Sequence, residues 1–268
     1  MKKSFYIAII ASIITLSSCE KVIDIDLNNA EKKYVIEGNI TDLTGSKVVI
    51  SQTIDYDQDN NFPRISGAVV SITESGGTTT VLTETAAGVY DAPALNGIPG
   101  KTYTLSVNIS GQLFSAVCKM PLKINLDSIY VTDELLFGET QKIVNTDFID
   151  PPGLGNSYRF FQTVNGNKEK IIIIRNDEYA DNKKVTTQLF YFDDEDDNDS
   201  TKIKSGDNIE VELQCIDPVM YKYWYSMYRS ALGNSGQATP ANPVSNMPEG
   251  ALGYFSAHTT QTKTMVVP

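Results

Sequence analysis

The chain is poor in the residues that most often do chemistry: among 268 residues there are one histidine, one tryptophan and three cysteines. With His258 the sole imidazole, zinc-protease helices, histidine-rich metal sites and most serine–histidine pairs are excluded. No nucleophile elbow surrounds any serine, so His258 reads as a strand or loop residue near the C-terminus. Phosphate-cradling loops and dinucleotide fingerprints are also missing. Gly153-Leu154-Gly155-Asn156 follows Pro151-Pro152 and lacks the strand-to-helix setting that such a motif requires. Carboxylates are plentiful, but no signature nominates an acid–base pair of the glycosidase kind. The expectation is a protein without catalytic activity and without an obligatory cofactor. Positive charge is short as well, with 22 basic residues against 33 acidic ones. That balance argues against nucleic acid and anionic surfaces as partners.

Long apolar runs are absent too. A membrane-spanning helix needs about 20 apolar residues, whereas the mostly apolar run Phe5–Leu16 has twelve. Preceded by Lys2 and Lys3 and followed by small residues, it has the form of a secretory signal. Leu16-Ser17-Ser18-Cys19 resembles a bacterial lipobox, in which the thiol takes a lipid and small side chains let the peptidase reach the bond. Residues 1–18 then read as a cleaved signal peptide and Cys19 as the lipidated first residue of the mature chain. Several acyl chains at about 0.8 kcal/mol per buried CH₂ anchor a protein without a transmembrane helix. Loss of Lys2 and Lys3 takes the mature balance to 20 basic against 33 acidic residues, a net −13. Export makes a disulfide between Cys118 and Cys215 chemically possible. Each, however, lies on the apolar face of an alternating segment and reads as a small core hydrophobe.

What is abundant is strand pattern. After a tether at 19–31 come short alternating segments at Tyr34–Ile40, Lys47–Ile54, Ala68–Glu74, Thr79–Glu84, Lys101–Ile109 and Leu113–Met120. They are punctuated by turn residues, which predicts a β-sandwich over 32–121. Beyond Pro121, a second β-rich domain over 122–268 is predicted from Ser128–Thr132, Tyr158–Val164, Glu169–Arg175, Val185–Phe192 and Asn208–Ile216. The apolar run Ile171–Ile174 reads as buried on both faces. Pro218–Ser230 carries Tyr221, Trp224, Tyr225 and Tyr228 at helical spacing, predicting one short aromatic helix. A long loop follows over 233–248, and Gly253–Ala257 with Thr264–Val267 form a closing strand pair.

Ile65–Ile72, then Gly88-Val89-Tyr90, then Gly100-Lys101-Thr102-Tyr103-Thr104-Leu105-Ser106-Val107 follow in order and resemble the carboxypeptidase-regulatory or transthyretin-like sandwich, an immunoglobulin-like module of interaction rather than catalysis. Over nearly the whole mature chain, Cys19–Asp24, Tyr34–Gly38, Leu126–Ile129, Tyr223-Trp224, Pro243–Asn246 and Gly250–Phe255 are similar to the DUF4249 family of Bacteroidetes lipoproteins. That resemblance implies an outer-membrane location and an accessory or ligand-presenting role beside a TonB-dependent receptor. Glu20, Lys21, Asp24 and Asp26 resemble the charged signals that send such lipoproteins to the cell surface.

Two further sets of residues invite a functional reading. Asp55, Asp57, Asp59 and Asn61 place hard oxygens at every second residue of a loop, a spacing that suits calcium as well as a solvated hairpin tip. The sixth loop position is Asn60 rather than Gly and the twelfth Ser66 rather than Glu, so it is no EF-hand. The run Asp193–Asp199 is denser and suits an ion or an extended hydrated loop. Trp224, Tyr221 and Tyr228 either anchor the helix in the core or stack on a sugar. Asn242 and Asn246 lie in a polar, proline-bearing loop suited to partner contact. A stand-alone glycan-binding protein and a calcium-stabilised adhesin are the alternative roles.

Overall fold

The computed structural model describes residues 31–55, 58–136, 138–190, 202–231, 242–247 and 250–268. The protein is mainly β, with sixteen strands and one helix among these residues. Alternation builds the first eight: β1 (Tyr34–Thr41), β2 (Ser46–Gln52), β3 (Val69–Glu74), β4 (Thr79–Val81), β5 (Thr83–Ala86), β6 (Val89–Ala92), β7 (Thr102–Ile109) and β8 (Gln112–Lys119). The segment expected as one strand at Thr79–Glu84 breaks at Leu82 into β4 and β5, which belong to different sheets. Strand β6 begins within the Gly88-Val89-Tyr90 motif. Gly88 has φ +65°, and a Cβ there would sit 2.5 Å from the Ile50 carbonyl oxygen, so only glycine fits. The Tyr90 hydroxyl then donates to the Ile65 carbonyl at 3.1 Å and accepts from the Ala68 amide at 2.9 Å, pinning the decorated hairpin.

The remaining strands are β9 (Leu126–Leu136), β10 (Glu139–Ile149), β11 (Ser157–Val164), β12 (Asn167–Lys168), β13 (Ile173–Asn176), β14 (Lys184–Leu189), β15 (Asn208–Cys215) and β16 (Ala251–Val266). They form three sheets with the others. One has nine strands in the order β12-β11-β15-β16-β1-β2-β6-β5, with β13 also on β11; the second is β14-β10-β9 and the third β4-β3-β7-β8. The four-stranded and three-stranded sheets cover different stretches of the large one, giving two cores. In the first, Ile36, Ile40, Val48 and Phe255 meet Leu105, Val107 and Phe114. In the second, Tyr158 and Phe160 of β11 pack edge-on and tilted against Phe148 of β10 at 4.7 and 5.9 Å. Each such ring contributes roughly 1.5–3 kcal/mol by burial, so these contacts outweigh any surface ion pair on the same sheets.

Instead of a closing strand pair, β16 is one continuous strand. Its first half, Ala251–His258, pairs in parallel with β1, and its second half, Thr259–Val266, pairs antiparallel with β15. The segments 32–121 and 122–268 therefore share a strand. The open edge of the first half is capped by side chains. Asn246 donates to the Phe255 carbonyl at 2.7 Å and accepts from its amide at 3.0 Å, Ser245 bonds the Gly253 carbonyl, and Cys118 Sγ accepts from Ala257 at 3.2 Å. These partners satisfy backbone groups that a buried edge would otherwise leave unpaired.

Helix α1 (Pro218–Ala231) starts where Asp217 caps it, accepting from the Val219 amide at 2.9 Å with Pro218 in the first turn. The isoleucine run serves both cores: Ile172 and Ile174 pack against the first cluster, Ile171 and Ile173 against the second. Each is only half-buried, because β13 is a short strand paired to β11 alone. Cys118 and Cys215 are free and buried, and burial raises both thiols, Cys118 to about 12. At that value the Cys118 thiol stays protonated and unreactive at neutral pH.

Candidate functional site

Alternation in the nine-stranded sheet sends one set of side chains into the two cores and the other set outward. On the outward face Asn39 and Thr41 of β1, Lys47 of β2, Asp91 of β6, Glu212 and Gln214 of β15, and Ser256, His258, Thr260 and Thr262 of β16 come together. They line an open recess of about 740 Å³, walled by Trp224 of α1, Tyr254 of β16 and Phe161 of β11. A volume of that order suits a small ligand or a short chain segment. Because β16 joins the halves, this recess draws on both.

Arg159 sits in its wall. The guanidinium carbon lies 3.4 Å from the Trp224 ring centroid and 4.2 Å from that of Phe161. Trp224 is held in turn by edge contacts to Tyr223 at 4.9 Å and Tyr254 at 5.0 Å. Among the described residues no carboxylate reaches ion-pair distance of Arg159, and its buried Nε has no hydrogen-bond partner. Burial lowers the Arg159 pKa to about 10, which leaves the side chain charged at neutral pH. Lys168 lies 3.4 Å over the other aromatic wall, Phe161, and burial lowers it as well.

His258 is buried, at 5 % exposure, with Nδ1 3.0 Å from the Ser256 hydroxyl. Burial first, and the Arg159 charge second, lower its pKa to about 4, so the ring is neutral at pH 7. No carboxylate is hydrogen-bonded to this imidazole among the described residues. Among the described residues the pair thus has no orienting acid of the kind a catalytic triad uses.

The residues singled out from sequence fall in different places. Trp224, at 7 % exposure, is both a core anchor and the wall of the recess. Tyr221 stacks on Tyr225 at 6.0 Å, and Tyr228 is 36 % exposed; neither Tyr221 nor Tyr228 lines the recess. Asn242 is exposed, whereas the Asn246 amide is engaged with Phe255 and with the Val117 carbonyl at 3.2 Å. Of the calcium set, Asp55 is paired to Lys32 at 3.4 Å, Asp59 and Asn61 are exposed, and Asp57 lies outside the described residues. No group of three or more His, Cys, Asp or Glu among the described residues is placed to hold a metal. Cys19 and Asp193–Asp199 lie outside the described residues. No described helix is long and apolar enough to cross a membrane.

Sequence reading passed over Arg159, Phe161, Glu212, Gln214, Tyr254 and Ser256. One signal was available: Tyr158-Arg159-Phe160-Phe161 puts a lone cation inside an aromatic strand, where water cannot fully solvate it. A comparison with curated proteins finds no match. One similar solved structure is the selenomethionine-substituted chicken interferon gamma receptor alpha chain, at 9% identity over 89% of this chain and 98% of that one, with a TM-score of 0.27. Residues 20–264 match the model of the family described as Domain of unknown function (DUF4249), and the chain belongs to that family.

Proposed function

We propose that the protein is a non-enzymatic lipoprotein of the bacterial outer membrane, held by lipid on Cys19, that presents a ligand or docks as an accessory of a TonB-dependent receptor. The observation that carries this reading is the recess built across both halves of the nine-stranded sheet, with polar and charged side chains on rigid strands and no described nucleophile–base–acid set. The anchor itself rests on the sequence, on the short apolar run Phe5–Leu16 and the lipobox-like Leu16-Ser17-Ser18-Cys19. The first sandwich is read as the transthyretin-like module. The clash-free Gly88 turn and the Tyr90 hydroxyl bridge support that reading, because both give its Gly-x-Tyr motif a physical role.

Crosslinking in intact cells of the source bacterium, followed by capture in detergent, tests the role. Recovery of an outer-membrane receptor at native expression is expected. Recovery of the intact lipoprotein with no envelope partner overturns it. The stacked Tyr221–Tyr225 pair, with Tyr225 at 47 % exposure, favours a second reading, a stand-alone glycan binder using the outer side of α1. A Tyr225→Ala chain that stays folded and keeps all glycan affinity rules that site out.

A further inference from the structure

Among the described residues, the Arg159 cation in the recess has no ion-pair partner. Two aromatic rings lie against the Arg159 guanidinium, and its Nε is sealed from solvent without a partner. Rings engage a guanidinium through its face, so the hydrogen-bonding capacity left for a ligand is in the plane, at the two Nη groups. A planar carboxylate matches that fork with two parallel bonds. Beside the fork, Trp224 and Tyr254 offer apolar surface. The charges opposite limit what can enter. Asp91 and Glu212 line the same recess, and neither is ion-paired among the described residues. Glu212 stands two residues from Gln214, the register partner of Arg159. For a dianion such as phosphate both the attraction of Arg159 and the repulsion of the two carboxylates double, so what disfavours it is that it has no apolar group to set against Trp224 and Tyr254.

We propose that the recess is a binding site for an organic monocarboxylate bearing an apolar or aromatic group, with its carboxylate on Arg159 and its apolar part against Trp224 and Tyr254. The proposal rests on reading the recess as the protein's binding face. The ligand can be a free small acid or the carboxyl end of a peptide; the shared chemistry is the carboxylate.

Trp224 is the only tryptophan and walls this recess, so its fluorescence in the folded, full mature chain reports on binding there. The probes are 3-phenylpropionate, its amide, inorganic phosphate, and a phenylalanine-ended peptide with free or amidated terminus. A saturable change with 3-phenylpropionate is expected, with the amide and phosphate weaker by about tenfold or more, the loss of one charge-assisted pair. A free-ended peptide that outbinds the small acid assigns a chain terminus; the reverse assigns a small molecule. Arg159→Met should cost at least about tenfold, and Glu212→Gln, which keeps Arg159 and the fold, should tighten carboxylate binding and leave the amide unchanged. Equal affinity for acid and amide, equal affinity for phosphate, no saturable change, or indifference to Glu212→Gln overturns the proposal. Absence of carboxylate binding with receptor capture intact rejects the ligand class alone. Absence of receptor capture with carboxylate binding intact rejects the accessory role alone.

Discussion

Lowering the pH should destabilise this protein through His258, and the size of the effect follows from where the ring sits. Burial and the nearby Arg159 and Lys168 charges depress its pKa from 6.5 to about 4, against a smaller opposing pull from Asp42. The unfolded chain therefore binds a proton near pH 6.5 that the folded chain refuses until near pH 4. Stability from this residue is complete above the unfolded value and is lost as pH falls from 6.5 toward 4. At about 1.36 kcal/mol per unit, roughly 2 kcal/mol is gone by pH 5 and about 3 kcal/mol, as an upper bound, by pH 4. Urea titrations at pH 7 and pH 5, followed by Trp224 fluorescence, measure it. With a slope of about 2–3 kcal/mol per molar, the midpoint should drop by roughly 0.7–1 M. Carboxylates titrate over part of the same range, so the informative quantity is the difference from His258→Gln, which cannot protonate and should lose only what the carboxylates contribute. If wild type and His258→Gln lose equal stability between pH 7 and pH 5, the buried-neutral account of His258 is wrong.

Further outcomes follow from other parts of the molecule. Gly253→Ala puts a Cβ 2.0 Å from the Ile36 carbonyl oxygen at φ +101°, so the β1–β16 pairing must shift; a loss of about 3 kcal/mol or more is expected by urea midpoint. Gly76→Ala, with φ +74° and open space around it, should cost only about 1–2 kcal/mol, and equal losses at the two positions would refute the clash argument. Because Asp55 is already paired with Lys32, chelator should leave the melting temperature unchanged, whereas a fall of several degrees would revive the calcium loop. A palmitate analogue fed to cells should label the wild-type chain and not Cys19→Ser; label that persists in the variant removes the proposed tether.

Much of the fold was legible because half-buried strands alternate: β1, β3, β7, β8, β11 and β15 lie within a residue or two of where their patterns place them. Strand β10 was not, since Asn145, Thr146 and Asp147 are buried polar residues in a central strand. Their solvation is replaced by hydrogen bonds from partners far in sequence, such as Thr186 to Asp147 at 2.6 Å. The continuity of β16 was also hidden, because its two halves have different partners and in its middle Ser256, His258 and Thr259 are buried polar residues. The site suffered most from this. Alternation marks Glu212, Gln214, Thr260 and Thr262 as outward-facing, but only the parallel pairing of β1 with β16 sets Asn39 and Thr41 beside Ser256 and His258. Trp224 stood out for its helical spacing, yet its contact with Arg159 joins positions on separate elements that no local pattern relates.

The binding face can be tested directly by placing a photo-crosslinking residue in living cells at Lys47 or Thr262, on the rim of the recess, and at Val69 or Val117, on the exposed side of the four-stranded sheet. The account predicts an outer-membrane partner crosslinked from Lys47 and Thr262 and little from Val69 and Val117. Capture of the partner from Val69 and Val117 alone would contradict it.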